Sequence, residues 1–161
     1  IRAHARTFDG IHVSSSLIRD CLHKGDVQMA DLCLGYDYFL DGIVVGGYQV
    51  GRKIGFPTAN LGVDDPEKLV PADGVYAVHV SFDGNVYDGM LNIGHRPTLN
   101  NGDNRSIEVN ILHFNADIYN KYIRISFVKY LRPELKFDGI EGLISQLFKD
   151  QEEVERLFAK R

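Results

Sequence analysis

The 161-residue chain has no apolar stretch approaching the roughly 18 residues that a membrane-spanning helix needs, and nothing resembling a signal peptide opens it. A soluble, cytoplasmic protein is the expectation. No run of five like charges occurs and the formal net charge is only −4, so the electrostatic footprint of a nucleic-acid or anionic-membrane partner is missing. Cysteine is scarce. Cys21 and Cys33 are the only two, they have no CxxC spacing, and they read as reduced core residues in helical sequence. None of the 6 histidines falls in an HxxxH or HExxH pair, which removes the usual ligand spacing of a zinc site. The first residue is Ile1 rather than methionine, which suggests a fragment or a processed product. What is present is a hydrophobic content of 44%, ample for the core of one domain plus a little more.

Two patterns divide the chain. Ser14-Ser15-Ser16 caps a helix that carries Leu17, Ile18, Cys21 and Leu22 on a helical repeat and ends at Lys24-Gly25-Asp26. Val27, Ala30, Leu32, Cys33 and Leu34 suggest a second short helix stopping near Gly35. Before them, only Ile11-His12-Val13 has the look of a strand. From about residue 40 the pattern alternates instead, with turn signals every ten or so residues. Residues 42–46, 75–82, 85–93, 107–115 and 122–130 are strand candidates rich in Val, Ile, Tyr and Phe, and Phe82-Asp83-Gly84-Asn85 supplies a hairpin turn. Five or six antiparallel strands with few helices imply a sandwich or a closed barrel. A last helix spans Gly139 to Arg161, with Ile140, Leu143, Ile144, Leu147, Phe148, Val154, Leu157 and Phe158 on its apolar face.

The stretch Gly51-Arg52-Lys53-Ile54-Gly55-Phe56-Pro57-Thr58-Ala59-Asn60 holds the most chemistry. Its glycines allow close backbone approach and its two cations favour an anion such as a phosphate. Pro57 fixes φ, so Thr58 and Asn60 can present side-chain oxygens together, and hard oxygens suit magnesium. A plain β-hairpin with a tight turn explains the same residues, because glycine-rich turns are common. The longer phrase Val44-Val45-x-Gly47-x3-Gly51-Arg52-x2-Gly55-Phe56-Pro57-Thr58-Ala59-Asn60 resembles the nucleotide-binding signature of riboflavin kinases, including the kinase module of bifunctional bacterial riboflavin kinase/FMN adenylyltransferase. Further matching phrases follow in the family's order, Gly74-Val75-Tyr76, Asn92-Ile93-Gly94-x-Arg96-Pro97-Thr98 and Phe114-x2-Asp117-Ile118-Tyr119 among them.

The resemblance implies a mainly β fold, a six-stranded antiparallel Greek-key barrel with a C-terminal helix and a short helical N-terminal segment. It also implies ATP-dependent phosphorylation of riboflavin at the ribityl 5′-hydroxyl, with magnesium. Gly47, Gly51, Arg52, Thr58 and Asn60 are then the ATP-binding residues, and Thr58 and Asn60 the magnesium ligands. Glu108 lies on a strand with Ile107, Val109 and Ile111 on its other face, and such a glutamate is usually solvated surface. Its context after a polar loop matches the family's catalytic base. That loop, Leu99 to Arg105, reads as too hydrophilic to pack and as either a mobile segment or a lid over the flavin. Asn101, Asp103 and Arg105 in it, and Arg132 before the last helix, are the flavin-side candidates. Acidic Asp64-Asp65-Pro66-Glu67 reads as a solvated loop rather than a metal site.

Val13-Ser14-Ser15-Ser16-x-Ile18-Arg19 is similar to the helix start that closes the adenylyltransferase domain of the bifunctional enzyme, although an ordinary helix cap has the same composition. Residues 1–38 are accordingly expected to be the remnant of that domain and residues 39–161 the kinase barrel. FMN adenylyltransferase activity is expected only together with the upstream domain. The alternative function is a flavin-binding barrel without catalysis.

Overall fold

The structure is a computed structural model and describes residues 6–8, 11–13, 15–46, 58–98, 102–114 and 116–159. Two short strands, β1 (Arg6–Phe8) and β2 (Ile11–Val13), pair antiparallel with Thr7 opposite His12. β2 is the strand expected there, and β1 is an additional strand paired with it. α1 (Ser15–Lys24) buries Ile18, Cys21 and Leu22, spaced three and four apart, and sets His23 and Lys24 in its last turn, at the negative end of the helix dipole. α2 (Val27–Leu34) starts where the Asp26 carboxylate accepts the Met29 N–H at 3.2 Å. It stops at Gly35, whose φ of 85° is left-handed and whose N–H donates to the Asp31 carbonyl at 2.9 Å. Cys21 and Cys33 are buried, reduced thiols.

Beyond Tyr38 the period becomes two. β3 (Phe39–Gly46), β4 (Ala59–Val63), β5 (Gly74–Phe82), β6 (Asn85–Thr98), β7 (Gly102–Ile111) and β8 (Tyr122–Arg132) close an antiparallel barrel in the order β3-β4-β7-β6-β5-β8. β5, β6 and β7 are successive neighbours and β8 returns to lie beside β5, which is a Greek key. Asp83 and Gly84, with φ of 52° and 78°, make the β5–β6 turn that the Asp-Gly pair announced. Asn120 takes φ of 69°, as asparagine tolerates.

Several boundaries depart from the sequence reading, among them β3, which begins at Phe39 rather than 42, and β6, which runs to Thr98 rather than 93. β4 was not foreseen, because Ala59-Asn60-Leu61-Gly62-Val63 has two small residues and no β-branched run. β7 begins at Gly102, so the segment from Leu99 to Arg105 is not wholly a loop: Gly102, Asp103, Asn104 and Arg105 pair with Thr98, Pro97, Arg96 and His95. A ladder is made by backbone groups, so hydrophilic side chains are no bar to it. β7 ends at Ile111 rather than 115, and the chain turns at His113, whose φ is 55°.

Inside the barrel, Leu40, Val44, Leu61, Tyr76, Val78, Leu91, Ile107, Val109, Ile125 and Phe127 form one apolar cluster. Ile18, Leu22, Val27, Ala30 and Cys33 of the two helices belong to the same cluster. The junction is also hydrogen-bonded, with the Tyr38 hydroxyl donating to the Leu69 carbonyl at 2.6 Å and the Phe127 N–H to the Tyr38 carbonyl at 2.8 Å. On the outer side of β5 and β6, α3 (Ile140–Ala159) lays Leu147, Val154, Leu157 and Phe158 against Ala77, Met90 and Leu112. Ile140 and Phe148 were expected on that face and are instead 55% and 54% exposed. Phe148 lies about 120° around the helix from Val154 at 100° per residue, and Ile140 sits in the first turn.

Candidate active site

Asn60 is the second residue of β4, and its neighbours Ala59 and Leu61 turn toward the barrel interior. Side chains alternate along a strand, so Asn60 faces outward, and Thr58, two residues earlier in extended chain, shares that side. Register then brings distant residues together. Asn60 is paired with Glu108 on β7, Glu108 with Asn92 on β6, Asn92 with Val75 on β5, and Val75 with Arg132 on β8. Glu108 is flanked by core residues Ile107 and Val109, and Asn92 by Leu91 and Ile93, so both also point outward. Three polar side chains from three strands therefore stand side by side on the barrel wall, with Cβ atoms of directly opposite residues about 4.5–5.5 Å apart.

Two oxygens at this place are unusual. Thr58 Oγ1 and Asn60 Oδ1 are buried and have no hydrogen-bond partner among the described residues. Burying an unpaired polar atom costs free energy, so such atoms are expected where something else supplies the partner. Both are neutral, hard oxygen donors, and the pair fits a hard divalent cation that keeps most of its shell as water or phosphate oxygen. Glu108 stands opposite Asn60 on the next strand. Among the described residues no group of three His, Cys, Asp or Glu side chains could hold a metal by itself.

The flanks of the row are built by charged groups. Arg105, on β7, donates to the Val70 carbonyl at 3.0 Å, to the Pro71 carbonyl, and to Asp73 Oδ1 at 2.9 Å, while Asp73 Oδ2 meets His95 Nδ1. It thereby ties the segment before β5 to the β6–β7 hairpin. Burial pushes the Tyr76 phenol up, and as a neutral donor it bonds the Ala72 carbonyl at 2.5 Å in the same place. Arg132 makes a bidentate pair with Asp150 of α3, Nε to Oδ1 at 2.9 Å and Nη2 to Oδ2 at 2.7 Å, and Gln146 adds a bond to Oδ1 at 2.9 Å. Asp150 is 2% exposed, so this pair is the buried anchor between β8 and α3.

Of the residues singled out in the sequence, Thr58, Asn60 and Glu108 are brought together. Arg105 lies on β7 opposite His95 and Arg132 on β8 opposite Val75, both with guanidinium nitrogens bonded to protein partners. Gly47, Gly51, Arg52 and Asn101 lie outside the described residues, and of Asp103 only its strand position opposite Pro97 is described. Sequence reasoning gave no role to two residues that the fold brings here. Asn92 sits in the second family phrase, and its outward position was implied by apolar Leu91 and Ile93 on either side. Glu134 packs its carboxylate on Gly94, where any Cβ would overlap it, and nothing local in the sequence linked residues 94 and 134.

A profile of the flavokinase (riboflavin kinase) family matches residues 34–158. The chain belongs to the riboflavin kinase family. Among curated relatives, the bifunctional riboflavin kinase/FMN adenylyltransferase of Bacillus subtilis (strain 168) is 46% identical over 149 residues, which are 91% of this chain and 47% of that protein. The protein of the same name from Listeria monocytogenes is 43% identical, over 92% of this chain and 47% of its own. The chain thus spans about half the length of the curated relatives it matches. Among solved structures, riboflavin kinase from Trypanosoma brucei superposes with a TM-score of 0.52 at 26% identity, covering 76% of this chain and 80% of that one. A structure titled macrolide-efflux protein from Streptococcus pneumoniae superposes with a TM-score of 0.88 at 36% identity, over 94% of this chain and 49% of that one. Among the described residues no helix is long and apolar enough to cross a membrane. Riboflavin kinases act by phosphoryl transfer from ATP, a reaction that generally uses a divalent metal.

Proposed function

We propose that this chain transfers the γ-phosphoryl group of ATP to the ribityl 5′-hydroxyl of riboflavin, giving FMN and ADP, with magnesium as the metal and the cytoplasm as its place of action. The observation that carries the reading is the register that sets Glu108 opposite Asn60, beside the two buried, unpaired oxygens. Thr58 and Asn60 would hold the magnesium ion, which when bound neutralises phosphate charge that repels the incoming oxygen. Gly47, Gly51 and Arg52 cradle the nucleotide, as their place in the family signature implies. Glu108 accepts the proton of the 5′-hydroxyl as that oxygen bonds to the γ-phosphorus. The bond from the γ-phosphorus to the bridging oxygen breaks, and ADP leaves with its electron pair. On the flavin side, Arg105 and Arg132 shape the walls through the contacts that hold residues 70–73 and α3, and Asp103 on β7 contacts the flavin, as does Asn101, whose role follows from the family resemblance alone. A flavin carrier would need neither the two oxygens nor the carboxylate.

The test is ADP release that depends on riboflavin, measured at saturating magnesium-ATP for the native chain and for Glu108→Gln. The variant keeps size and loses basicity, so kcat should fall by roughly 10²- to 10⁴-fold while riboflavin still binds. ADP formation that ignores riboflavin would reject the reaction, and a variant of near-native kcat would reject Glu108 as the base.

A further inference from the structure

The β6–β7 hairpin is longer than the barrel that carries it. β5 pairs with β6 only as far as Ile93, and β4 pairs with β7 only through Ala59 and Asn60, opposite Val109 and Glu108. Beyond those residues, among the described ones, β6 and β7 pair only with each other. Gly94 to Thr98 lie against Ser106 to Gly102 as a two-stranded arm that leaves the barrel beside the row of Asn60, Glu108 and Asn92. A two-stranded ribbon is marginally stable alone, so the angle of this arm is set by what grips its base.

Asp73 grips both strands there. Its Oδ1 accepts from Arg105 Nη2 at 2.9 Å and its Oδ2 meets His95 Nδ1, and His95 and Arg105 are the directly opposed pair next to Gly94 and Ser106. Arg105 extends the grip to the Val70 and Pro71 carbonyls. The segment that carries Asp73 is itself fixed. The Ala72 N–H donates to the Leu22 carbonyl of α1 at 3.0 Å, and the Ala72 carbonyl accepts the Tyr76 hydroxyl at 2.5 Å. Gly74, with φ of 150°, then backs onto the Tyr130 ring, where a Cβ would lie only 2.5 Å from it. A lone exposed ion pair contributes little, but one carboxylate shared by facing residues of two strands constrains both.

We propose that Asp73 is a positioning residue for the phosphoryl acceptor: by clamping His95 and Arg105 it fixes the angle of the β6–β7 arm, and with it the space beside Glu108 that riboflavin enters. The inference rests on the reading of this chain as a riboflavin kinase. Loosening the clamp lowers the fraction of molecules whose acceptor site is formed. Acceptor binding weakens by that fraction, while the step after binding is unchanged. Thr58 and Asn60, on the nucleotide side, stand on β4 and do not depend on the arm.

The experiment measures kcat and the KM of each substrate, together with riboflavin binding followed by flavin fluorescence, for the full chain and for Asp73→Ala, Asp73→Asn and His95→Ala. Asp73→Ala loses both contacts, so the KM and the dissociation constant for riboflavin should each rise roughly tenfold, while the KM for ATP stays level and kcat stays within about a factor of two. Asp73→Asn, whose amide oxygen still accepts from Arg105, should recover most of the affinity. His95→Ala, which removes one contact of the two, should fall between them. Unchanged riboflavin binding in Asp73→Ala overturns the proposal, because the arm then stands without the clamp. A loss shared equally by kcat and by the KM for ATP also overturns it, because Asp73 is then general scaffold. If Asp73→Ala does not fold, the same split is read from Asp73→Asn and His95→Ala. ADP release by the native chain that ignores riboflavin would reject the kinase reading instead, and the fluorescence titration would still decide the clamp.

Discussion

At the scale of single residues, the candidate site carries a cost that has no use in an empty barrel. Thr58 Oγ1 and Asn60 Oδ1 are buried without partners among the described residues, and an atom left so destabilises the fold by about 1–3 kcal/mol. If they are the metal ligands proposed above, that cost separates the stability of the chain from its activity. Asn60→Ala removes one of the orphaned atoms, so it should abolish most riboflavin-dependent turnover and raise the magnesium concentration needed for what remains, while the melting temperature without ligands stays level or rises. A loss of melting temperature parallel to the loss of activity would mean that Asn60 is part of the scaffold. The same scale explains why the sequence could suggest Thr58 and Asn60 as a pair but gave Asn92 no role. Two residues apart in extended chain face one way by local geometry, whereas Asn92 meets Glu108 only through the pairing of β6 with β7.

Two elements hold charged groups in places where charge is expensive. α3 is fastened to the barrel by Arg132 and Asp150, the latter 2% exposed and also bonded by Gln146. Removing one partner strands the other, so Asp150→Ala should cost about 3–5 kcal/mol, read as a lower urea midpoint at unchanged slope. Asp150→Asn, which keeps the shape and can still accept from Arg132, should cost less. α2 presents the opposite case. Burial pushes the Asp31 carboxyl up to about 8, Asp37 adds to it, and the Tyr38 N–H that it accepts at 2.7 Å only partly offsets them. Because the folded pKa lies above the unfolded one, the folded state binds the extra proton. Stability from this group is complete below about pH 4 and is lost as pH rises through about 8. Asp31→Asn should therefore flatten the fall of melting temperature between pH 6 and about 8 that the native chain shows. A native profile without that fall would show that the carboxyl is ionised throughout.

For the molecule as a whole, the shared cluster joining α1 and α2 to the barrel interior makes residues 15–38 part of the packed structure whatever their origin. The proposed assignment of residues 1–38 to the end of an adenylyltransferase domain, and of 39–161 to the kinase barrel, is therefore one of lineage and chemistry rather than of separate cores. Arg19 Nη2 donates to Ser16 Oγ at 3.4 Å within α1, so the serine-rich start is engaged with its own helix. The curated relatives are bifunctional and about twice as long. This chain should form FMN from riboflavin, ATP and magnesium, and no FAD from FMN under the same conditions. Chromatography of the flavin products decides it, and FAD made by the purified chain would place a second active site within these residues.

The sequence by itself determined the class of fold, the helices and most strands of the barrel, and the family. Those depend on local period, on Gly35 and Asp83-Gly84 at turns, and on long phrases in fixed order. It missed β4 and the early start of β7, where small or polar residues hide a ladder that only backbone groups make. It also set Ile140 and Phe148 on a covered face, because periodicity reports which residues align along a helix and not how far the sheet beneath extends. What only tertiary structure decided is adjacency. Asn60, Glu108 and Asn92 lie far apart in the chain and become neighbours through the pairing of β4 with β7 and β7 with β6, while Arg105 and Arg132 find protein partners more than 15 residues away. Register follows from the burial of alternate side chains along every strand at once, a condition on the whole barrel that no single stretch contains.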